Sequence, residues 1–109
     1  MNRILILFLI IGSQLYSQNQ TMEKINYIDL NSKQKENYNY HKVAAALAEY
    51  GYDSMRLNND WQGADFIAVK DDEMLKVQLK GRFTIDKKYV GKDIHIAFIE
   101  DDIIKMYKH

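Results

Sequence analysis

Three polar side chains sit within two short apolar runs of the sequence, and their types suit a particular chemistry. Asp65 lies in the first run, residues 63–69, whereas Gln78 and Lys80 lie in the second run, residues 75–82. A carboxylate and an amide oxygen are ligands for a hard cation, and an ammonium group stabilises negative charge on a reacting phosphate. Brought together, these groups suit metal-assisted cleavage of a phosphodiester bond.

The segment between the two runs predicts that they form a β-hairpin. Residues 71–73 are all acidic and separate two apolar stretches, which is a typical strand-turn-strand signal. If Lys70 faces Met74, Asp65 falls opposite residues 78–80. Because side chains alternate along a strand, the polar pair of the second strand shares one face, and all three polar groups can converge.

Length and composition limit what surrounds this hairpin. The chain has 109 residues, 47% of them hydrophobic and 28% charged, which predicts one small globular domain. Basic and acidic residues balance at 15 each, so the protein is not a basic coat for nucleic acid, and any phosphate binding must be local. The absence of cysteine excludes disulfides, zinc-thiolate sites and thiol catalysis, so metal ligands must be oxygen or imidazole.

The N-terminal residues, 1–21, differ in kind from the rest. Arg3 precedes an apolar stretch over residues 4–11 and a polar tract, which resembles a secretory signal peptide. The stretch is too short to span a bilayer, so no stable membrane anchor is expected. An exported or periplasmic protein is expected if Met1 is the start, and a cytoplasmic one if Met22 is the start and the upstream segment is mis-assigned.

Residues 22–109 are expected to form a single α/β domain. Apolar residues recur at helical spacing before Gly51, which is a natural helix end. The predicted elements are an edge strand or ordered lead-in over 24–29, a helix over 33–50, a strand over 52–57, a loop over 58–63, the central hairpin, a basic linker containing Lys87, Lys88 and Lys92, and strands over 94–99 and 103–107. A further C-terminal element is left open.

This order of elements, with Asp65 and the Gln-x-Lys pair, resembles the PD-(D/E)XK nuclease superfamily, the restriction-endonuclease-like fold, over roughly residues 33–99. The resemblance implies one long helix packed on a small mixed β-sheet. It implies Asp65, Gln78 and Lys80 as catalytic residues, with Gln78 at the position of an acidic residue. The implied activity is hydrolysis of phosphodiester bonds in DNA, with RNA as the less favoured substrate. A homodimer is an option because many such nucleases cut one strand per subunit.

The same residues define the expected cofactor. Asp65, the amide oxygen of Gln78 and the carbonyl of Leu79 can hold one Mg²⁺ or Mn²⁺ ion, although the neutral amide weakens the site. Many members of the superfamily also carry a glutamate on the helix, where this chain has Tyr40. Glu36 and Glu49 lie one turn or more away, and either can substitute.

Nucleic-acid contacts are expected around the second strand. Arg82, Lys87 and Lys88 can bind phosphates, and Trp61 can stack on a base. The alternatives without nucleic acid are that the lysines belong to a soluble linker and that Trp61 covers the edge of the core.

Two other functions stay open. The first is a catalytically inactive relative that binds nucleic acid or protein, which the neutral Gln78 allows. The second is an exported α/β domain unrelated to nucleic acid, which a genuine signal peptide would favour.

Overall fold

The computed structural model describes residues 22–81 and 93–108, together with the backbone of residues 9–11 and 14–16. Two separately packed units make up the chain, Met1–Asn31 and Ser32–His109. Within the described ranges, no helix is both long enough and apolar enough to cross a bilayer.

Among its described residues, the first unit has two short strands and one helical turn. Strand β1 (Leu9–Ile11) pairs antiparallel with β2 (Gln14–Tyr16), a hairpin that the sequence pattern did not predict. A 3₁₀-helix follows at Tyr27–Asp29, and the Leu30 N–H donates to the Tyr27 carbonyl at 3.1 Å. The edge strand considered for residues 24–29 is therefore wrong, because backbone groups there bond within the segment rather than to a neighbouring strand.

The second unit begins with the only helix of more than one turn among the described residues, α1 (Ser32–Ala48). The predicted stop at Gly51 is confirmed, with a φ of 89° that favours glycine. Gly51 N–H donates to the Ala48 carbonyl at 3.0 Å, and Tyr52 N–H donates to the Leu47 carbonyl at 3.1 Å. These two bonds form a Schellman motif, which satisfies carbonyls that the helix end would otherwise leave unpaired.

Five strands form one mixed sheet next to this helix. The strands are β3 (Asp53–Trp61), β4 (Ala64–Lys70), β5 (Glu73–Leu79), β6 (His95–Glu100) and β7 (Ile103–Lys108). They lie in sequence order, and every neighbouring pair is antiparallel except β5 and β6, which are parallel. The expectation of one helix packed on a small mixed sheet is confirmed.

The turns explain two errors of the prediction. Residues 58–63 are not a loop, because β3 runs on to Trp61 and turns at Gln62 and Gly63, whose φ values of 54° and 89° fit a two-residue hairpin turn. The β4–β5 turn is also shorter than expected. Lys70 pairs with Glu73 rather than with Met74.

The core lies between α1 and the sheet, with a second cluster nearby. Val43 and Leu47 of the helix pack on Phe66, Val77 and Ala97 of the sheet, and each of these sheet side chains is fully buried. The second cluster contains Ala64, Ile94 and Ile96. Since Val77 faces the helix, alternation places Gln78 on the opposite face of β5.

Candidate functional site

Asp65 lies at the one irregular point in the pairing of β3 with β4. Arg56 pairs with Phe66 and Trp61 pairs with Ala64, so residues 57–60 of β3 all lie opposite Asp65 alone. Such bulges interrupt a ladder and re-aim a side chain, and they are frequent next to functional sites. The irregularity therefore frees Asp65 from regular cross-strand pairing on this side.

On its other side, Asp65 contacts the end of β5. The Leu79 N–H donates to Asp65 Oδ2 at 2.8 Å. Because the N–H and C=O of one residue in an extended strand point to the same neighbour, the Leu79 carbonyl also faces β4. Phe66 pairs with Val77, so the next residues along the two antiparallel strands, Asp65 and Gln78, lie opposite each other. The two-residue turn sets this register. The predicted convergence of Asp65 with the β5 segment is thus found, at a register fixed by the shorter turn.

The electrostatics of Asp65 are those of a half-buried carboxylate. Burial raises its pKa above the ordinary value of 3.8, while the hydrogen bond from Leu79 lowers it. The negative charges of Asp60 and Glu36 raise the pKa further, and the positive charge of Lys80 lowers it. Asp65 therefore lies in an environment where a nearby cation would stabilise its charged form.

Gln78 is half-buried, and its Oε1 atom is closed to solvent. No described residue donates a hydrogen bond to this oxygen. A buried acceptor without a donor costs free energy and calls for an explanation, such as an ion or a ligand that satisfies it. Gln78 is also fixed from the other side by its pairing with Ile96 of β6.

Lys80 follows the last residue of β5 and is half-buried. Its backbone N–H donates to the Ala97 carbonyl at 2.9 Å, which continues the parallel pairing of β5 with β6 by one residue. The positive charge of Lys80 acts on the pKa of Asp65, so the two groups lie in one electrostatic neighbourhood. The sequence-predicted trio of Asp65, Gln78 and Lys80 is thus brought together.

Of the two helix glutamates, Glu36 lies toward Asp65, because its charge acts on the pKa of that carboxyl. Arg56 holds it in place, donating from Nη2 to Glu36 Oε1 at 3.1 Å and from Nη1 to Asn37 Oδ1 at 2.6 Å. The Arg56 guanidinium also lies 4.9 Å from the centroid of the Tyr40 ring. Glu49 lines a separate cavity at the other end of the helix.

Trp61 pairs with Ala64, the residue before Asp65, across the β3–β4 turn. Its side chain is 43% exposed, and Lys76 Nζ lies 5.7 Å from the centroid of a Trp61 ring. Lys76 also donates to Gln62 Oε1 at 2.8 Å. The result is a partly exposed ring beside a positive charge.

Three further residues of this region were missed by the sequence reasoning, namely Arg56, Asp60 and Lys76. Lys76 could have been predicted from the sequence, because it precedes Gln78 by two residues and so shares its face of β5. Asp60 accepts from the Gly63 N–H at 2.6 Å, a turn contact that the polar run before Trp61 signals. The bonds of Arg56 to the helix depend on tertiary structure, which no local pattern reports.

The remaining predicted contact residues, Arg82, Lys87 and Lys88, lie outside the described residues. Among the described residues, no three His, Cys, Asp or Glu side chains cluster as a metal site. The predicted ligand set contains one such residue, Asp65, together with an amide and a backbone carbonyl. A comparison of the chain with known protein families, curated proteins and solved structures finds no match.

Proposed function

We propose that the unit of residues 32–109 is a metal-dependent nuclease-like domain with a restriction-endonuclease-like core, which hydrolyses phosphodiester bonds in DNA. The observation that carries the proposal is the 2.8 Å hydrogen bond from the Leu79 N–H to Asp65, which joins the carboxylate to the strand end bearing Gln78 and Lys80. One carboxylate, one amide oxygen and one ammonium group then share a small region of the sheet.

Two features of these residues fit a divalent cation. The Gln78 Oε1 atom is buried and accepts no hydrogen bond from the described residues, so it has a free lone pair for a cation. The negative charges of Asp60 and Glu36 raise the pKa of Asp65, and a cation beside Asp65 would offset them. Asp65, Gln78 and the Leu79 carbonyl would hold one Mg²⁺ or Mn²⁺ ion, oxygen ligands that both cations accept. A bound divalent cation would supply Lewis-acid stabilisation of charge on the phosphoryl oxygens.

The protein residues have separate tasks in this proposal. Asp65 is oriented by the Leu79 N–H, so its second oxygen keeps a fixed direction. Lys80 places its ammonium group where negative charge builds on the phosphate, an effect worth about 10²–10³ in rate for a single donor. The half-buried setting strengthens this interaction relative to water.

Trp61 and Lys76 extend the proposed substrate surface. An exposed aromatic ring beside a positive charge supports stacking on a base together with attraction to the phosphate backbone. Arg82, Lys87 and Lys88 belong to the same proposal as phosphate contacts.

The neutral Gln78 favours a second candidate, a catalytically inactive domain of the same fold that binds nucleic acid or protein. An amide in place of a carboxylate removes one negative charge from the ligand set and weakens the binding of a hard cation. The two candidates differ in one measurable property, the dependence of DNA cleavage on the metal.

The experiment is a cleavage assay of the full chain on single- and double-stranded DNA with Mg²⁺, Mn²⁺ or EDTA. Asp65→Ala and Lys80→Ala variants are compared with Asp93→Ala and Lys105→Ala, which remove exposed charges of the same types elsewhere. Metal-dependent cutting that the first pair abolishes and the second pair retains supports the nuclease. Absence of cutting by a parent chain that shows a cooperative melting transition rejects the enzyme. DNA binding measured on the same samples then tests the inactive candidate.

A further inference from the structure

A cavity of about 590 Å³ lies at the C-terminal half of α1, in the same unit as Asp65 but away from it. Its floor is apolar and includes Val43, Leu47, Leu75 and Ile104. Glu73, at its rim, precedes Gln78 by five residues on β5, which corresponds to about 16 Å along an extended strand. The volume falls in the range of ordinary small-molecule sites. The cavity is therefore a separate candidate site with its own chemistry.

The polar groups around the cavity include two carboxylates, which accept hydrogen bonds. Glu49 and Glu73 contribute carboxylates, and Tyr50 and Tyr52 contribute aromatic rings. Glu73 Oε1 accepts from the Tyr52 hydroxyl at 3.0 Å, and a carboxylate has about four lone-pair positions, so most of its capacity remains. Carboxylates beside aromatic faces are the lining that organic cations prefer.

Lys70 shows that an ammonium group can lie within cation–π distance of a ring in this lining. Its Nζ lies 5.5 Å from the centroid of the Tyr52 ring. Among the described residues of the lining, Lys70 is the one lysine or arginine, against the two carboxylates of Glu49 and Glu73, so these residues keep an excess of one negative charge.

His95 does not reverse this balance. Its Nδ1 atom is buried and has no hydrogen-bond partner among the described residues, so a second ring proton would have no acceptor there. Burial lowers the pKa of His95, Lys108 lowers it further, and Asp93 and Glu73 oppose the shift. The imidazole is accordingly neutral at pH 7, and it does not attract an anion.

From the acceptor-rich rim and the apolar floor, we infer that this cavity binds a small organic amine in its protonated form, with an apolar body that fills the space over Leu75 and Ile104. The ammonium group lies at Glu73 and the tyrosine rings. This binding is independent of the nuclease proposal, because it uses none of the residues around Asp65.

The test is a calorimetric titration of the full chain at pH 7 with three probes of one shape. These are 4-phenylbutylamine, the neutral 4-phenylbutanol and the anionic 4-phenylbutyrate. The amine is expected to bind about ten-fold more tightly than the alcohol, because a charge-assisted hydrogen bond and a cation–π contact are added. The acid is expected to show no binding. Equal binding of amine and alcohol would overturn the inference.

Variants locate the site. Glu73→Gln should reduce the preference for the amine and leave alcohol binding unchanged, whereas Glu100→Gln, outside the cavity, should keep that preference in full. Ala46→Trp, which fills the cavity from α1, should abolish binding of both probes. Melting temperatures establish that each variant is folded. An amine preference that Glu73→Gln leaves undiminished, or binding that survives Ala46→Trp in a folded variant, would reject the cavity as the site.

Discussion

The backbone N–H of Leu79 donates a hydrogen bond to Asp65 Oδ2 across 2.8 Å. This side-chain contact follows the last regular pair of β4 with β5, Phe66 with Val77. The orientation of the carboxylate is therefore fixed by the backbone of a neighbouring strand. A substitution that keeps an oxygen acceptor but removes the charge should preserve this geometry.

Asp65→Asn is expected to raise the melting temperature at pH 7. Burial raises the pKa of Asp65 in the folded state, so the folded protein binds the proton more tightly than the unfolded chain. Stability then falls as pH rises from 3.8 through the raised pKa, and the neutral amide avoids this loss. Melting curves from pH 3 to 8 should show a difference between variant and parent that vanishes at the acid end.

Asp93→Asn is the matched control, because the hydrogen bond from Lys108 lowers the pKa of Asp93. This substitution should give no increase in melting temperature at pH 7. A decrease for Asp65→Asn at pH 7 would contradict the assigned electrostatics.

Gln78→Glu is expected to lower stability without metal and to increase the response to Mg²⁺. A second carboxylate beside Asp65 adds repulsion in the folded state, which a divalent cation relieves. Binding of Mg²⁺ should tighten by about ten-fold, because affinity for hard cations follows the number of charged ligands. Melting temperatures over a range of Mg²⁺ concentrations measure both effects.

Gln34→Glu provides the comparison for Gln78→Glu, since it makes the same change at an exposed position of α1. It should leave the response to Mg²⁺ as in the parent. Equal metal responses of the two variants would speak against an ion at Gln78.

Glu36→Gln is expected to lower the pKa of Asp65, whereas Glu49→Gln leaves it unchanged. The negative charge of Glu36 contributes to the raised pKa, and Glu49 lies at the other end of the helix. A ¹³C NMR titration of the Asp65 carboxyl carbon measures the pKa independently of any activity. If Glu49→Gln lowered the pKa of Asp65 and Glu36→Gln did not, the assignment of Glu36 to the site would be wrong.

Gly51→Ala is expected to destabilise the domain by about 1–2 kcal/mol, because the φ of 89° is unfavourable for a residue with a Cβ. The added Cβ would also lie 3.4 Å from Lys70 Cε. Gly81→Ala is the control, since no atom lies within 4 Å of its added Cβ. Chemical denaturation should separate the two variants, and an equal loss for both would contradict the role of Gly51 in ending the helix.

The sequence pattern predicts the elements of the second unit well, because their signals are local. Helical periodicity, Gly51 and the acidic turns mark the ends of α1, β4 and β6 within a few residues. The prediction ended β3 too early, because Asn58, Asn59 and Asp60 favour turns. The strand continues past them to Trp61, which pairs with Ala64 of β4.

The site was predicted less completely, for a physical reason. The alternation of side chains along β5 was enough to place Gln78 and Lys80 on one face. The bulge opposite Asp65, in contrast, arises from the pairing of β3 with β4. The bonds of Arg56 to Glu36 and Asn37 likewise join residues about twenty positions apart. Contacts of this kind leave no periodic trace in the sequence.

The parallel pairing of β5 with β6 has a consequence for the order of folding. The hairpins β3–β4–β5 and β6–β7 close through short turns, whereas Val77 meets His95 across eighteen positions of the chain. Pairing of distant segments is the slower event in small domains. The end of β5 takes part in this parallel pairing, since Gln78 pairs with Ile96 and Leu79 pairs with Ala97. The Lys80 N–H also donates to the Ala97 carbonyl. We therefore expect the strand end that meets Asp65 to be completed last, and hydrogen exchange should show it opening first.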